Sequence, residues 1–263
     1  MRIATWNVNS IRQRIDNLVV WLKERQPDIV CLQETKTTDD TFPREPLETL
    51  GYNLAIHGQK TFNGVAILSK FPFDEVNPRL PGEDGDDHAR FIEAVVSTSR
   101  GALRIASIYL PNGNPVQSEK YPYKICWMDR LANYASERLK LEEDLIMAGD
   151  YNVIPAPEDV YDPKGWIEDA LFRPQTREKF RALINLGLTE AVRASSDEPG
   201  LYTFWDYQAG CWPKNNGLRI DHILLSPRAA DSLKAAGIDK HVRAWEKPSD
   251  HVPVYVDLAI EPT

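Results

Sequence analysis

Leu145-Ile146-Met147-Ala148-Gly149-Asp150-Tyr151-Asn152-Val153 reads as a buried strand that carries polar chemistry at its end. A short apolar run begins after Asp144 and stops at a carboxylate, the pattern of a strand covered on both faces. Asp150 and Asn152 then follow at i and i+2. If the backbone stays extended, both side chains lie on one face. The structural alternative for this pair is an Asx turn that caps a loop.

Other strands end in the same way. Arg2–Asn7 places Ile3 and Thr5 opposite Ala4 and Trp6 and ends on Asn7. Asp28–Gln33 is rich in Ile, Val and Leu and runs into Glu34. Asp221 lies within Leu218-Arg219-Ile220-Asp221-His222, and Asp250-His251 precede a strand at Val252–Leu258. Polar groups placed repeatedly at strand ends can converge on one edge of a layered fold.

Between them, Ser10 is read as an N-cap, followed by Ile11, Ile15, Leu18, Val19 and Leu22 at helical spacing, with Pro27 closing the helix. Further strands are expected at Tyr52–His57, Gly64–Ser69, Arg219–Leu225 and near His241–Trp245. Phe91–Thr98 and Ala102–Tyr109 form a hairpin around Arg100-Gly101. Helices are expected over Gln117–Leu141 and Gln175–Leu186. Strands and helices do not alternate one for one, which rejects a simple doubly wound or barrel pattern. Two sheets packed face to face with helices outside fit better. Pro72–Arg90 and Pro155–Pro174 are long polar connections of the kind that often carry function. With no linker and no repeat, residues 1–263 are read as one domain.

The chain has 263 residues, 42% hydrophobic and 27% charged. It has no apolar run of the ~20 residues that span a bilayer, and no signal peptide is read at Met1–Trp6. A cytoplasmic monomer is the expectation. Three scattered cysteines, Cys31, Cys126 and Cys211, give neither a disulfide framework nor a metal clip, and each is read as a small core residue. The net charge of −8 disfavours nucleic acid on its face. A local basic face or a bound divalent ion offsets that argument.

Five stretches, in order, resemble the signatures of the exonuclease III family of abasic-site nucleases, within the endonuclease/exonuclease/phosphatase superfamily. They are Ile3–Arg12, Ile29–Thr35, Gly149–Val153, Arg219–Asp221 and Pro248–Pro253. The resemblance implies an α/β (α+β) fold: a four-layer αββα sandwich of two mostly antiparallel mixed sheets flanked by helices. It implies magnesium, with manganese as an alternative. It also implies abasic-site endonuclease and 3′-to-5′ exodeoxyribonuclease activity on double-stranded DNA in base excision repair.

The chemistry supports the assignment of each position. Phosphodiester hydrolysis asks for on the order of 20 kcal/mol of catalysis, mostly from positioning and charge stabilisation. Magnesium suits this, since it takes one or two carboxylates, keeps waters and accepts phosphate oxygens. Glu34 is the primary ligand, with Asn7, Asp150, Asn152, Asp250 and His251 as further metal-site residues. Asp150 orients or deprotonates the attacking water, and Asn152 positions it. His251 contacts the phosphate while Asp221 takes its other ring proton. By resemblance, Tyr109 and Asn112 also touch the scissile phosphate, and Arg90 contributes to substrate binding. The resemblance also implies that Phe204, Trp205 and Leu218 wall a pocket for a flipped, base-free sugar; the alternative for this aromatic stretch is core packing beneath a loop. The basic residues Arg12, Arg14, Lys36, Lys60, Lys120, Lys124, Lys164 and Lys214 lie in or near expected loops; some could track phosphates, most are read as solvated, and none is singled out as a site residue. The competing readings are a phosphatase acting on a non-nucleic-acid phosphoester and a catalytically inactive DNA-binding relative.

Overall fold

Alternation along each strand sorts its side chains between layers. The computed structural model describes residues 1–261. Its strands are β1 (Arg2–Asn7), β2 (Ile29–Gln33), β3 (Asn53–His57), β4 (Val65–Ser69), β5 (Glu75–Pro78), β6 (Phe91–Thr98), β7 (Gly101–Tyr109), β8 (Asp144–Asp150), β9 (Thr189–Glu190), β10 (Asp221–Leu225), β11 (Leu233–Ile238) and β12 (Val254–Leu258). They form two six-stranded sheets, ordered β11-β12-β1-β2-β4-β3 and β5-β6-β7-β8-β10-β9. Ile3, Ile29, Cys31, Ile67, Ile105, Ile146, Ile223 and Val256 meet between the sheets. The residues out of phase with them face the helices. Ala4, Trp6, Val30 and Leu32 pack on the helix Ile11–Arg25. Leu145, Met147 and Ile108 pack on the helices Lys120–Leu139 and Pro174–Ile184. The expected four layers result.

Each sheet has a parallel pair near its centre, β1 with β2 and β7 with β8, among otherwise antiparallel neighbours. A parallel pair needs a long crossover. The helix Ile11–Arg25 provides one and the helix Lys120–Leu139 the other. The carboxyl ends of both pairs come together at one edge of the sandwich. Gly149 allows β7 and β8 to approach closely there, since a Cβ on it would stand 1.9 Å from the Ile108 carbonyl oxygen. Among the described residues, no helix is long and apolar enough to cross a membrane.

Several local expectations change. The strand read near His241–Trp245 is a 3-10 turn, Lys240–Ala244, whose Val242 is buried. Three strands were not expected: β5 inside the long Pro72–Arg90 connection, the two-residue β9, and β11. Each is a sheet edge or, like β5 and β11, too exposed for apolar alternation to mark it. Ser10 precedes its helix, but its side chain makes no capping hydrogen bond. Cys31 is buried as expected, whereas Cys126 is exposed and Cys211 half-buried.

Candidate active site

Strand parity carries the reactive ends inward. Thr5, Gln33 and Ser107 join the two sheets through Gln33 Nε2, which donates to both hydroxyls at 3.0 Å. One step further along the same faces stand Asn7 on β1 and Tyr109 on β7. Asp150 ends β8 on that side and lies opposite Asp221 of β10 in the ladder. The Asn7 amide spans the gap, donating to Glu34 Oε1 and to Asp150 Oδ2, each at 2.9 Å. His251 sits above it. Its Nδ1 lies 2.8 Å from Asp221 Oδ2, and its Nε2 lies 3.6 Å from Asp150 Oδ2. Asn7, Asp150, Asp221 and His251 are all buried.

The backbone is strained where these side chains are aimed. Asn9, Ser10, Glu34, Lys36 and Asn152 all have positive φ. Such conformations cost non-glycine residues free energy and persist where the surroundings enforce them. At Asn152 (φ 47°) the strand has already ended, so the extended i, i+2 arrangement does not form. Instead Asp150 Oδ1 accepts from the Asn152 backbone N–H at 2.9 Å, an Asx turn. That turn leaves Asp150 Oδ2 for Asn7 and swings the Asn152 amide toward Asn112, whose Nδ2 donates to Asn152 Oδ1 at 3.3 Å.

Charge in the cluster is uneven. Burial pushes the Asp150 carboxyl well above its usual range, although His251 and Asn7 pull it down. Burial works against a charged His251, but Asp221 and then Asp150 raise its pKa and hold the imidazole protonated. Burial also works to raise Glu34, yet Lys36 and the Asn7 amide keep it below the ordinary carboxylate range. Tyr109 is driven far up by burial and by Glu34.

A cavity of about 310 Å³ opens beside the cluster. Glu34, Tyr109, Asn112, Asp150, Asn152, Asp250 and His251 form its polar side, and Phe204, Leu218, Ile220, Leu171 and Trp166 its apolar side. Thus most of the residues expected from sequence surround one space. Phe204 packs edge-on against His251, with ring centroids 4.9 Å apart. Trp205 stands behind this wall. It is fully buried, meets Trp212 edge-on at 5.0 Å, and donates from Nε1 to Asn215 Oδ1. Arg90 lies outside the cavity, its guanidinium 4.7 Å from the centre of the Tyr109 ring.

Some site residues were not singled out from sequence. Lys36 Nζ reaches Glu34 Oε2 at 2.9 Å and Asn9 Oδ1 at 2.6 Å, so it serves the cluster rather than a loop. Thr203 Oγ1 donates to Asp221 Oδ2 at 2.6 Å, and Ser249 Oγ to the Asn7 carbonyl at 2.7 Å. Lys124 is not loop-borne; it is fully buried on its helix. In the sequence Lys36 and Lys124 stood only among the basic residues near loops and Ser249 only within the Pro248–Pro253 signature, and nothing marked Thr203.

The residues suit a hard divalent cation. One donor atom each from Glu34, Asp150 and His251 lie within 4.8 Å of one another. His251 has both ring nitrogens turned to carboxylates, so the oxygens of Glu34 and Asp150 are the better donors. Asn7, expected as a metal-site residue, instead turns its amide nitrogen to both carboxylates, while its Oδ1 accepts from the Asn9 N–H at 3.0 Å.

Residues 4–251 match the endonuclease/exonuclease/phosphatase family. The chain belongs to this family. Within it, the similarity is to the exonuclease III branch. The chain is 32% identical over 266 residues to exodeoxyribonuclease III of Haemophilus influenzae, covering 98% of this chain and 100% of that one. It is 30% identical over 266 residues to the DNA repair nuclease APEX1 of Danio rerio, covering 99% of this chain and 83% of that one. Among solved structures, a 3′ phosphatase of Neisseria bound to a product DNA hairpin superposes with a TM-score of 0.94 at 38% identity, covering 98% of this chain and 99% of that one. An AP endonuclease of Archaeoglobus fulgidus gives 0.92 at 35% identity, covering 98% and 99%. Members of this branch are hydrolases, and the chain is a nuclease of that kind.

Proposed function

We propose that this chain is a magnesium-dependent DNA-repair nuclease that incises DNA at abasic sites and removes nucleotides from 3′ ends. The observation that carries the reading is the Asn7–Glu34–Asp150–Asp221–His251 cluster bridging two sheets beside a half-apolar cavity. Glu34 and Asp150 would hold the ion, which would supply positive charge against the phosphate oxygens, and the Asn7 amide sets the two carboxylates relative to each other. Asp150 orients the attacking water and takes its proton at a carboxylate oxygen. The water oxygen bonds to phosphorus as the bond from phosphorus to the leaving sugar oxygen breaks. His251 Nε2–H donates to a phosphoryl oxygen while Asp221 and Thr203 fix the opposite side of the ring. Asn112, Asn152 and the Tyr109 hydroxyl contact the same phosphate, and Arg90 sets the Tyr109 ring. Asp250 is a second metal-site carboxylate.

Phe204, Leu218 and Ile220 give the cavity a wall suited to a sugar without its base, whereas Trp205 packs away from it on Tyr202 and Trp212. An abasic nucleotide costs less to extrude than a paired one. The Neisseria relative, described as a 3′ phosphatase, favours terminal 3′-phosphate removal as a second reaction of the same site. The test compares three substrates with magnesium and with a chelator: an abasic duplex, a duplex with a 3′-phosphate end, and an inositol phosphate. The expected result is magnesium-dependent nicking of the abasic duplex, with no phosphate released from the inositol ester. Preferential hydrolysis of the inositol ester would overturn the DNA reading.

A further inference from the structure

The helix Lys120–Leu139 buries a stripe at positions 121, 124, 128, 131 and 135. Four of these are Tyr121, Met128, Leu131 and Ala135. The fifth is Lys124, with no exposed surface at all. Taking an ammonium out of water costs several kcal/mol unless partners replace the lost hydration. Its hydrogen-bond partners are two main-chain carbonyls, Asn112 O at 3.0 Å and Asn152 O at 2.5 Å. These belong to the two loops whose side-chain amides face the cavity. Burial pushes its pKa down to about 7, and leucine or methionine at this position would pack without that cost, so the buried amine and its two hydrogen bonds call for a role beyond packing.

The surroundings are built around this ammonium. Gly113 has φ +91°, and a Cβ there would lie 2.7 Å from Lys124 Cδ and 3.1 Å from Ala170 Cβ. The Asn112–Asn114 loop therefore lies directly on the lysine stem. Its outer side is tied by Asn114 Nδ2, which donates to both oxygens of Asp169 at 3.1 Å. The two loops also touch each other, through Asn152 Nδ2 donating to Leu110 O at 2.9 Å and through the Asn112–Asn152 amide contact. Lys124 thus closes a ring: helix to the Asn112 carbonyl, Asn112 amide to Asn152 amide, and Asn152 carbonyl back to the helix.

We propose that Lys124 is a positioning residue for phosphodiester cleavage, clamping the Asn112 and Asn152 loops so that their two amides meet one phosphate. The inference rests on the nuclease reading above. Misplacing a substrate-orienting group by about 1 Å can cost ~10²-fold in rate. Lys124→Met should therefore lower kcat on an abasic duplex by roughly 10- to 100-fold per folded molecule. Half-saturation by magnesium, set by the carboxylates of Glu34 and Asp150 rather than by either clamped amide, should stay within about twofold.

Two further variants separate positioning from mere stability. Gly113→Ala pushes the loop off the lysine stem without touching its charge, and should reproduce the kcat loss. Asn112→Ala combined with Lys124→Met should be scarcely slower than the slower single variant, because both act through the same amide. If Lys124→Met does not fold, Gly113→Ala and its combination with Asn112→Ala carry the same test. The inference is overturned if the folded variants cut within about twofold of wild type, or if their losses multiply with that of Asn112→Ala. A wild-type enzyme that fails to nick the abasic duplex would instead overturn the nuclease reading, so the two failures are distinct.

Discussion

Asp221 and His222 are neighbours on β10 and belong to two different electrostatic worlds. Asp221 faces between the sheets, where Glu34, Asp150 and Asp250 outnumber the cations His251 and Lys36. His222 faces the other way, into a network that closes on itself. There Arg219 grips Asp159 through Nε at 2.7 Å and Nη2 at 3.1 Å, and its Nη1 lies 3.1 Å from Glu190 Oε2. Arg193 adds a second guanidinium on Asp159 at 2.7 Å. His222 Nε2 lies 2.9 Å from the Val153 carbonyl, while its Nδ1 lies 3.2 Å from Arg219 Nη1 and takes the acceptor role. Two carboxylates thus meet two guanidiniums around the imidazole.

The difference shows in the acids. Burial works to raise Glu190, but Arg219 and then His222 pull it down to about 2. Burial raises Asp150 and wins. Both carboxylates are buried, so burial alone does not distinguish scaffold from reaction centre. Charge balance does. The outer network pairs its two carboxylates with guanidiniums of the chain, leaving only Glu190 Oε1 without a hydrogen bond; the inner cluster has a surplus that a cation offsets.

The comparison breaks most visibly if the outer network is opened. Arg219→Met removes one partner and strands Asp159 and Glu190 in a buried setting, which should cost about 3–5 kcal/mol of stability. Urea denaturation measures it, and a loss under about 1 kcal/mol would show that the network is not closed as described.

A smaller effect is expected from the inner side. Glu34→Gln keeps the shape of the carboxylate and deletes its charge, so the magnesium concentration for half-maximal cleavage should rise by about tenfold or more. Manganese titration followed by electron paramagnetic resonance reads the same site without turnover. An unchanged curve would remove Glu34 from the metal site.

The smallest effect concerns acid. The folded pKa of Glu190 lies below its ordinary 4.5, so its contribution to stability is complete above that pH and is lost as pH falls toward about 2. Glu190→Gln should flatten the slope of unfolding free energy against pH in that window by up to about one proton. Identical slopes would mean that the unfolded chain holds Glu190 just as strongly.

Much of this contrast was legible in sequence, and the gaps have physical causes. The strand through Leu145–Gly149 and the Phe91–Tyr109 hairpin stood out because their apolar runs are buried in both directions. Glu34, Asp150, Asp221 and His251 stood out because they end or precede such strands. Edge strands such as Glu75–Pro78 carry no apolar signal, since solvent covers them. Val242 and Trp245 look strand-like, yet they flank a single turn packed on the first helix. Trp205 reads as a pocket wall from its aromatic neighbours, but local strand order puts Phe204 in front of it. Lysines are ordinarily solvated, so nothing in the sequence separates Lys124, beneath the site, from lysines in open loops. Lys36 was named only among those basic residues, since nothing in the sequence shows that its ammonium turns to Glu34.

The central claim is that the cluster with surplus carboxylates is where phosphodiester cleavage occurs. Single-turnover cleavage of an abasic duplex by Asp150→Asn tests it most directly, paired with binding at one fixed salt concentration, because affinity depends on salt. The substitution keeps volume and one acceptor for the Asn152 N–H, and removes the carboxylate proposed to activate water. The account predicts a rate lower by at least ~10²-fold, the lower range of general-base contributions, with DNA affinity retained or increased as a negative charge facing phosphate disappears. A variant that cuts at near the wild-type rate would contradict it, and would move the water-activating role away from Asp150.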